Sequence, residues 1–278
     1  MTVFIANAKI NLSLSIINKT GDGYHALDSL VVHSAYGDRL AFKPTDKKHF
    51  SVEIIGEFAK GLDTANNSVL DAANLIHSMF PDMPYQHITL TKNLPVASGI
   101  GGGSSDCACT IQALLQIWGK TAPDTLKKAL LTLGADVPVS YEKVSCIMRG
   151  VGNDITPHKV AKMHILLCNA KIGVSTVEVF GYYNERFSEE PNYSDFSDRE
   201  TLIDFLNTIG NDLIKPAMRA CPQIKEVLKS LQPHRPLYIG MSGSGGTCYA
   251  LCEDKEQADI LAHHCTEQGY WAVSTTTL

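Results

Sequence analysis

The residues at 95–106 have the composition of a loop that binds phosphate. Four of the five residues 99–103 are glycines, and Ser104, Ser105 and Asp106 follow them. Glycine backbone can approach a ligand closely, and a helix starting here would add unpaired N–H groups and the positive end of its dipole. The serine hydroxyls could also contact a magnesium ion. The pattern predicts a phosphate-binding loop; the alternative is a tight turn with a serine or aspartate N-cap.

A lysine and an aspartate from other segments could complete the chemistry of phosphoryl transfer. The loop does not end in Gly-Lys-Ser or Gly-Lys-Thr, so it is not a P-loop and its lysine must come from elsewhere. Lys9 is a candidate on the polar side of a predicted strand, where a lysine is also commonly a solvated charge. Asp136, between a predicted helix and Pro138, could be a catalytic carboxylate or a turn or N-cap residue.

Two more elements could contact a ligand. Residues 240–247 read Gly-Met-Ser-Gly-Ser-Gly-Gly-Thr and join two predicted strands, as a second anion-binding loop or as a flexible hairpin. Tyr24 and His25 follow a turn-forming cluster at 18–23 and could bind a ligand or simply pack. Two glycine-serine loops in separate halves of the chain favour a phosphorylated ligand held between the halves.

The first half of the chain predicts strands and helices that would position these residues. Apolar and polar residues alternate over 8–16, which predicts one strand with a buried and a polar face and places Lys9 and Asn11 on the same side. Further predicted strands are 30–33, 50–55 and 87–91, and predicted helices are 68–79, 105–118 closed by Gly119, and one that Asp124 caps and that runs through Leu133 to Gly134.

The second half continues the same mixture. Strands are predicted at 164–168, 237–239, 247–252 and 270–273, and helices at 176–183, 202–206, 223–230 and 255–268. Residues 188–200 are acidic and polar and predict an exposed loop or insertion. The interleaved elements predict an α+β protein of two domains, 1–160 and 161–278.

Composition excludes several classes of protein. The 278 residues are 44% hydrophobic and 19% charged, as in globular proteins. A net charge of -5 argues against a nucleic-acid partner, and no apolar run reaches the roughly 18 residues that cross a membrane. The eight cysteines lack zinc spacing, so we expect free thiols. Residues 1–10 lack the pattern of a secretory signal, and we expect a cytoplasmic protein.

Three segments resemble the GHMP kinases and occur in that family's order. They are Ala8-Lys9-Ile10-Asn11-Leu12 with Asp22-Gly23-Tyr24-His25-Ala26-Leu27, the loop at 95–105, and Met241-Ser242-Gly243-Ser244-Gly245. The Asp-Gly-Tyr-His and Gly-Gly-Gly-Ser-Ser-Asp forms are similar to the branch that acts on a cytidine diphosphate derivative of methylerythritol. Shorter matches, at 66–67, 134–138, 150–152, 173–176, Phe180 and 211–213, extend the resemblance over nearly the whole chain.

The resemblance implies a two-domain α+β GHMP fold with the active site in the cleft between the domains. It also implies ATP, with Mg²⁺, as phosphoryl donor to a hydroxyl of the cytidyl substrate. Asp136 would take the proton of the attacking hydroxyl, and Lys9 would keep that carboxylate ionised. Tyr24 and Phe180 would stack on the cytosine ring, and His25 would hydrogen-bond its edge.

The remaining implied contacts divide into an ATP site and a substrate site. No metal ligand is assigned, because Asn153 stands where the family commonly has an acidic residue; Ser104 or Ser105 is the candidate. Open alternatives are a GHMP kinase for a mevalonate-, homoserine- or sugar-like alcohol and a non-catalytic nucleotide-binding module, in either case a monomer or weak homodimer. The implied ATP site is Asn67, Pro95, Val96, Ala97, Ser98, Gly99, Ile100, Gly101, Gly102, Gly103, Ser104 and Ser105, and the implied substrate site adds Asn11, Val151, Thr176 and Gly243 to the aromatic set.

Overall fold

The computed structural model describes residues 2–21, 24–184 and 186–278. Asp22 and Gly23, part of the predicted turn cluster and of the first motif, lie outside the described residues. In chain order the elements are β1 (Thr2–Asn11), β2 (Ser15–Lys19), β3 (His25–Pro44), β4 (Ser51–Ile55), α1 (Ser68–Met79), β5 (Gln86–Thr91), α2 (Gly102–Trp118), α3 (Leu126–Leu133), α4 (Val137–Glu142), β6 (Cys146–Gly150), β7 (Asp154–Pro157), β8 (His164–Asn169), α5 (Thr176–Gly181), α6 (Arg199–Ile209), α7 (Ile214–Ala220), α8 (Gln223–Leu231), β9 (Tyr238–Met241), β10 (Thr247–Cys252), α9 (Lys255–Glu267) and β11 (Trp271–Thr276).

Two compact units make up the chain, each built from several segments. Unit 1 comprises Met1–Ala8, Tyr36–Val96 and Gly101–Lys143. Unit 2 comprises Lys9–Ala35, Ala97–Ile100 and Val144–Leu278. The sequence predicted two consecutive domains divided at residue 160, whereas each of these units is assembled from three segments. The boundary between the domains stays a prediction.

Unit 1 packs helices on a small sheet. Strand β4 runs parallel to β5, and β5 pairs antiparallel with the second half of β3, Arg39 to Pro44. Helices α1 and α2 place apolar side chains such as Ile76 and Leu114 in a fully buried core with Ile88 of β5. This core fixes the start of α2, where the first glycine-rich segment ends.

Unit 2 contains two groups of paired strands. The first half of β3 pairs antiparallel with β2 and with β6, and β6 pairs with β7. A separate antiparallel sheet has the order β11-β8-β10-β9. Strand β10 is buried along its whole length, as a strand covered on both faces must be, and α8 and α9 supply apolar side chains to the same core.

The mixed α/β architecture confirms the predicted fold class, and several elements have the predicted bounds. Helix α1 and strand β10 begin and end where the sequence predicted, and Gly134 takes the C-cap of α3. The single strand predicted over 8–16 is wrong: β1 ends at Asn11 and β2 begins at Ser15. Its polar face is buried too, because residues such as Ser13 are fully enclosed by neighbouring strands.

Other boundaries also differ from the prediction. Helix α2 begins at Gly102, three residues early, so the last loop glycines are helical. Asp124 is not the cap of α3: Leu126 N donates to Pro123 O at 2.9 Å, and this extra turn moves the N-cap to Thr125. Helices α4 and α7 and strands β6 and β7 were not predicted.

The cysteines and the lengths of the helices can be read directly from the structure. All eight cysteines belong to the described residues, and each is a buried thiol. In the ranges that the structure describes, no helix has both the length and the apolarity that crossing a bilayer requires.

Candidate active site

In unit 1, the end of the first glycine-rich segment forms the start of a helix. Gly101 is the N-cap of α2, with φ 64° in the left-handed region that favours glycine. Residues 102–105 form the first turn, and Ser105 N donates to Gly101 O at 2.8 Å. The earlier N–H groups of such a turn have no acceptor within the helix. The helix start therefore offers backbone donors and a positive dipole end to an anion.

The two serines of this turn have different surroundings. Ser105 is 3% exposed, and its Oγ donates to Ser140 Oγ of α4 at 3.4 Å. Ser104 is half-buried, and a Cβ built on Gly134 would lie 4.0 Å from Ser104 Oγ. Gly134 is two residues before Asp136. Ser104 is therefore the better placed hydroxyl for a phosphate oxygen or a magnesium ion, and Ser105 holds α2 against α4.

Asp136 lies at the beginning of α4. Its backbone takes the N-cap position, with φ -87° and ψ -3°, but within the described helix its carboxylate accepts no capping hydrogen bond. The alternative that Asp136 is only an N-cap residue therefore accounts for its backbone position but not for its side chain, which does not cap the helix. The Asp136 side chain is half-buried.

Asn67 joins α1 to the glycine-rich segment. Its Oδ1 accepts from Val69 N at 3.0 Å as the N-cap of α1, and its Nδ2 donates to Asp63 O at 3.2 Å. The next residue, Ser68, donates from Oγ to Gly103 O at 3.4 Å. Asn67, a predicted ATP contact, is therefore next in the chain to a residue that contacts the first turn of α2.

A buried ion-pair network, which the sequence did not predict, lies beside this helix start. Lys92, Asp38 and Asp106 are 4%, 0% and 2% exposed. Lys92 Nζ donates to Asp106 Oδ2 at 2.8 Å and also to Asp38 Oδ2. A Cβ added at Gly102 would lie 3.4 Å from Lys92 Nζ, so this glycine leaves room for the ammonium group. The three residues are too far apart in sequence for any local pattern to connect them.

The network holds a proton near neutral pH. Burial raises the pKa of Asp106 to about 8; the charge of Asp38 adds to the rise and Lys92 opposes it. Burial alone would lower the pKa of Lys92, but the two carboxylates outweigh it and the pKa is raised. Asp106 Oδ1 is buried with no hydrogen-bond partner among the described residues, which also disfavours its ionised form.

In unit 2, the beginning of the first glycine-rich segment packs against the second one. Ser242 Oγ donates to Gly99 O at 2.8 Å, and Thr247 N donates to Ser98 O at 2.9 Å. Ser242 N donates in turn to Thr247 O at 3.0 Å. These bonds hold residues 240–247 at both ends, which argues against a flexible hairpin.

The close approach of these two segments requires glycine. A Cβ on Gly99 would lie 2.6 Å from Gly245 O, and a Cβ on Gly243 would lie 2.8 Å from Gly99 O. Real side chains do not tolerate such distances. Gly243 also has φ 58°, which other residues rarely adopt. Both glycine positions are therefore fixed by packing between backbones.

Lys9 and Asn11 lie at the end of β1 and are 4% and 1% exposed, so Lys9 is not a solvated charge. Lys9 N donates to Ile100 O at 3.0 Å, and Asn11 N donates to Ser242 Oγ at 3.0 Å. Asn11 Nδ2 donates to Ser29 Oγ at 2.7 Å, while its buried Oδ1 has no partner in the described part of the chain. Asn11 thus keeps one acceptor for a ligand hydroxyl.

Rings come together near the beginning of β3. His25 stacks on Phe180 with centroids 4.7 Å apart and planes at 22°, and Tyr183 meets His25 edge-on at 5.8 Å. Tyr24 is 67% exposed, and its carbonyl oxygen accepts from Thr20 N at 2.7 Å. The structure therefore brings together two of the three residues predicted to bind the cytosine ring, His25 and Phe180.

The other predicted substrate residues surround the second glycine-rich segment, except one. Thr176 Oγ1 and Ser244 Oγ are 2.7 Å apart, and a Cβ on Gly243 would lie 3.5 Å from Asn11 Oδ1. Val151 is 42% exposed in the turn between β6 and β7. Asn211 holds the second glycine-rich segment in place, a role that the sequence analysis did not assign. Its Nδ2 donates to the carbonyls of both Met241 and Gly243.

The remaining predicted ATP contacts are backbone positions. Pro95 is buried, Val96 is 46% exposed and Ile100 is fully buried. Ala97 has φ 50°, a conformation that costs energy outside glycine and clusters at functional sites. Over the residues that the structure describes, no group of three or more His, Cys, Asp or Glu could hold a metal ion.

Two family models match the chain. The model of the GHMP kinases N terminal domain matches residues 67–146, and that of the GHMP kinases C terminal matches residues 193–270. The first includes the glycine-rich helix start and Asp136, and the second includes residues 240–247. Together with the mixed α/β fold, these matches define the class of protein as a GHMP kinase.

The relatives narrow this class. The 4-diphosphocytidyl-2-C-methyl-D-erythritol kinase of Rhizobium johnstonii is 41% identical over 254 residues, covering 88% of this chain and 82% of the relative. The kinase of that name from Ruegeria pomeroyi is 42% identical over 250 residues, covering 88% and 87%. A crystal structure of 4-(cytidine 5'-diphospho)-2C-methyl-D-erythritol kinase matches with a TM-score of 0.82 and 27% identity over 99% of both chains. The chain belongs to the 4-diphosphocytidyl-2-C-methyl-D-erythritol kinase family of the GHMP kinases.

Proposed function

We propose that the protein transfers the γ-phosphoryl group of ATP to the 2-hydroxyl of 4-diphosphocytidyl-2-C-methyl-D-erythritol. The products are the 2-phosphate and ADP, in the non-mevalonate synthesis of isoprenoid precursors. Relatives of about 40% identity over most of the chain support this assignment. The structural observation that carries it is the stack of His25 on Phe180, in the same unit as the second glycine-rich segment.

The proposed chemistry assigns one task to each group. The start of α2 binds the phosphates of ATP through its backbone N–H groups, with Asn67 near the adenine. Asp136 accepts the proton of the attacking hydroxyl, and Lys9 keeps that carboxylate ionised and offsets the charge that develops. Mg²⁺, with Ser104 as its candidate hydroxyl ligand, would neutralise phosphate charge. Phosphoryl transfer depends mostly on such positioning and electrostatics.

The substrate side of the proposal uses unit 2. Tyr24 and Phe180 hold the cytosine ring, and His25 bonds its edge. The unpartnered Oδ1 of Asn11 accepts a hydrogen bond from the substrate beside Gly243. Val151 and Thr176 line the remainder of this site. A cytoplasmic location and a monomer or weak homodimer stay predictions.

The alternative is a GHMP kinase that acts on another alcohol. Tyr24, His25 and Phe180 distinguish the proposed activity from this alternative. An aromatic site for a nucleobase has no use in a kinase for mevalonate, homoserine or galactose. We expect ADP release in a coupled assay with the cytidyl substrate and only background with the three smaller alcohols. Faster turnover of one of the smaller alcohols would reject the proposed substrate, and no turnover of any would favour a non-catalytic nucleotide-binding module.

A further inference from the structure

The segment at 186–198 has little regular structure, yet unit 2 holds it at several points. Ser188 N donates to Ile16 O at 2.9 Å, and Ser188 Oγ donates to Asp212 Oδ2 at 2.8 Å. Further along, Ala161 N donates to Phe196 O at 2.6 Å, and Phe196 is fully buried. The segment is an exposed loop at most of its residues, as predicted, but Pro191 and Phe196 are buried.

Tyr193 contacts a buried carboxylate. Its hydroxyl donates to Oδ1 of Asp28, which is 1% exposed. Arg149 Nε donates to the other oxygen of that carboxylate, Oδ2, at 2.9 Å. The Arg149 guanidinium also lies 5.7 Å from the centroid of the Tyr193 ring. Both oxygens of one buried carboxylate are thus satisfied by residues from two different segments.

Asp28 lies where three strands meet. Within β3, it pairs with Ser15 of β2 on one side and with Arg149 of β6 on the other. The next residue, Ser29, accepts from Asn11 Nδ2 at 2.7 Å. The position three residues earlier is His25, whose ring stacks on Phe180. A change at the Asp28 carboxylate is therefore adjacent to two proposed substrate contacts.

Arg149 connects the same carboxylate to a third substrate contact. Gly150, the next residue, ends β6, and the turn at 151–153 that carries Val151 follows; Gly152 N donates to Arg149 O at 3.2 Å. Gly150 has φ 68°, in the region that favours glycine. Arg149 is thus joined to the turn that carries Val151 through Gly150 and through one backbone hydrogen bond.

The ring of Tyr193 is itself fixed in place. It packs against Phe205 of α6 at 5.3 Å between centroids, and Phe196 packs against Phe205 at 4.7 Å. Burial, together with the adjacent Asp28 carboxylate, raises the pKa of Tyr193. The hydroxyl therefore remains a donor throughout the neutral range.

We infer that Tyr193 is a positioning residue for the cytidyl substrate: through Asp28 and Arg149 it holds the strand that carries His25 and the turn that carries Val151. This inference rests on the proposed function, because it concerns the site assigned there to the cytidyl group. It gives the 186–198 segment a role in substrate affinity rather than in ATP binding or in the chemical step. The aromatic packing fixes the segment, and the hydroxyl transmits its position to the site.

The test is the steady-state kinetics of Tyr193→Phe in the full-length protein. The variant keeps the ring and its packing and removes only the hydroxyl that meets Asp28. We expect KM for the cytidyl substrate to rise about tenfold, as for loss of one hydrogen bond to a charged group, with kcat and KM for ATP unchanged within about twofold. Tyr270→Phe, at a half-buried tyrosine between α9 and β11 in the same unit, is the matched control and should behave as wild type.

Asp28→Asn provides a second variant, since it keeps the shape of the side chain while weakening both contacts. It should raise the same KM, and adding Tyr193→Phe to it should produce much less than the product of the two separate effects. Equal changes in both KM values together with a lower Tm, or kinetics of Tyr193→Phe equal to those of Tyr270→Phe, would overturn the inference. Failure of the proposed function looks different, because the wild-type protein would then show no saturable use of the cytidyl substrate.

Discussion

The two units satisfy their buried carboxylates in opposite ways. In unit 1, Asp38 and Asp106 share one buried lysine, and one oxygen of Asp106 has no hydrogen-bond partner among the described residues. In unit 2, the carboxylate of Asp28 receives one donor on each oxygen, from Tyr193 and from Arg149. The first arrangement leaves a group that titrates near neutral pH beside the start of α2, which is proposed to bind the phosphates of ATP. In the second arrangement each oxygen of the carboxylate has a donor. It holds β3, the strand that carries His25, against β2 and β6.

This difference suggests a division of labour. Unit 1 contains the start of α2 and Asp136, which are proposed for the ATP phosphates and for the proton transfer, whereas Lys9 and residues 97–100 of the ATP loop belong to unit 2. Unit 2 also contains the rings and Gly243, which are proposed to recognise the cytidyl substrate. Substitutions in unit 1 should therefore change turnover or charge-dependent stability, and those in the ring set of unit 2 should change the affinity for one substrate.

The largest expected effect is that of Asp136→Asn. Loss of a positioned general base should lower kcat by about 10²–10⁴-fold, while the amide keeps the size of the side chain and ATP binding is little changed. Turnover by coupled assay and ATP affinity by calorimetry measure the two quantities. Asp124→Asn, an exposed aspartate of the same unit, is the control. Activity close to wild type would remove Asp136 from the mechanism.

Tyr24→Ala should have a smaller effect, confined to the cytidyl substrate. Stacking of a base on an aromatic ring contributes about 1–3 kcal/mol, so KM for this substrate should rise about tenfold to a hundredfold while KM for ATP stays the same. Tyr24 is 67% exposed, so we do not expect the substitution to unfold the protein. Ile260→Ala, at another exposed apolar residue of unit 2, should change neither constant. An equal rise in KM for ATP and for the cytidyl substrate would contradict the proposed role of Tyr24 in binding the cytidyl substrate alone.

The smallest expected effect is a change in the pH dependence of stability. The folded-state pKa of Asp106 is about 8 against an ordinary value of 3.8, so unfolding releases a proton between these values and stability falls as pH rises through that window. Asp106→Asn should remove up to about 1.4 kcal/mol per pH unit from this slope. Urea unfolding from pH 5 to pH 8 measures it, with the exposed Asp259→Asn as control. Equal slopes in wild type and Asp106→Asn would show that Asp106 does not hold the proton.

Local patterns predicted those parts of the site that are local in the chain. The glycine-rich helix start, the apolar spacing of α1 and the buried run of β10 are each contained in about a dozen residues, so the sequence was sufficient for them. Turn-forming residues inside β3, such as Gly37 and Asp38, concealed its continuous length from His25 to Pro44. Tertiary pairing with β1, β2, β5 and β6 keeps that strand extended.

Contacts between distant positions could not be predicted in this way. Lys92 meets a carboxylate 54 residues earlier in the chain, and Tyr193 meets one 165 residues earlier. Their partners depend on how the strands assemble, which no spacing rule encodes. The same limit applies to α4, where Pro138 is a normal first-turn residue but also resembles a helix breaker.

Measuring kcat and both KM values for Asp136→Asn and Tyr24→Ala side by side tests the division of labour most directly. The account predicts a loss of kcat alone for Asp136→Asn and a rise in KM for the cytidyl substrate alone for Tyr24→Ala. The same pattern of change in both variants, or the reverse assignment, would contradict it.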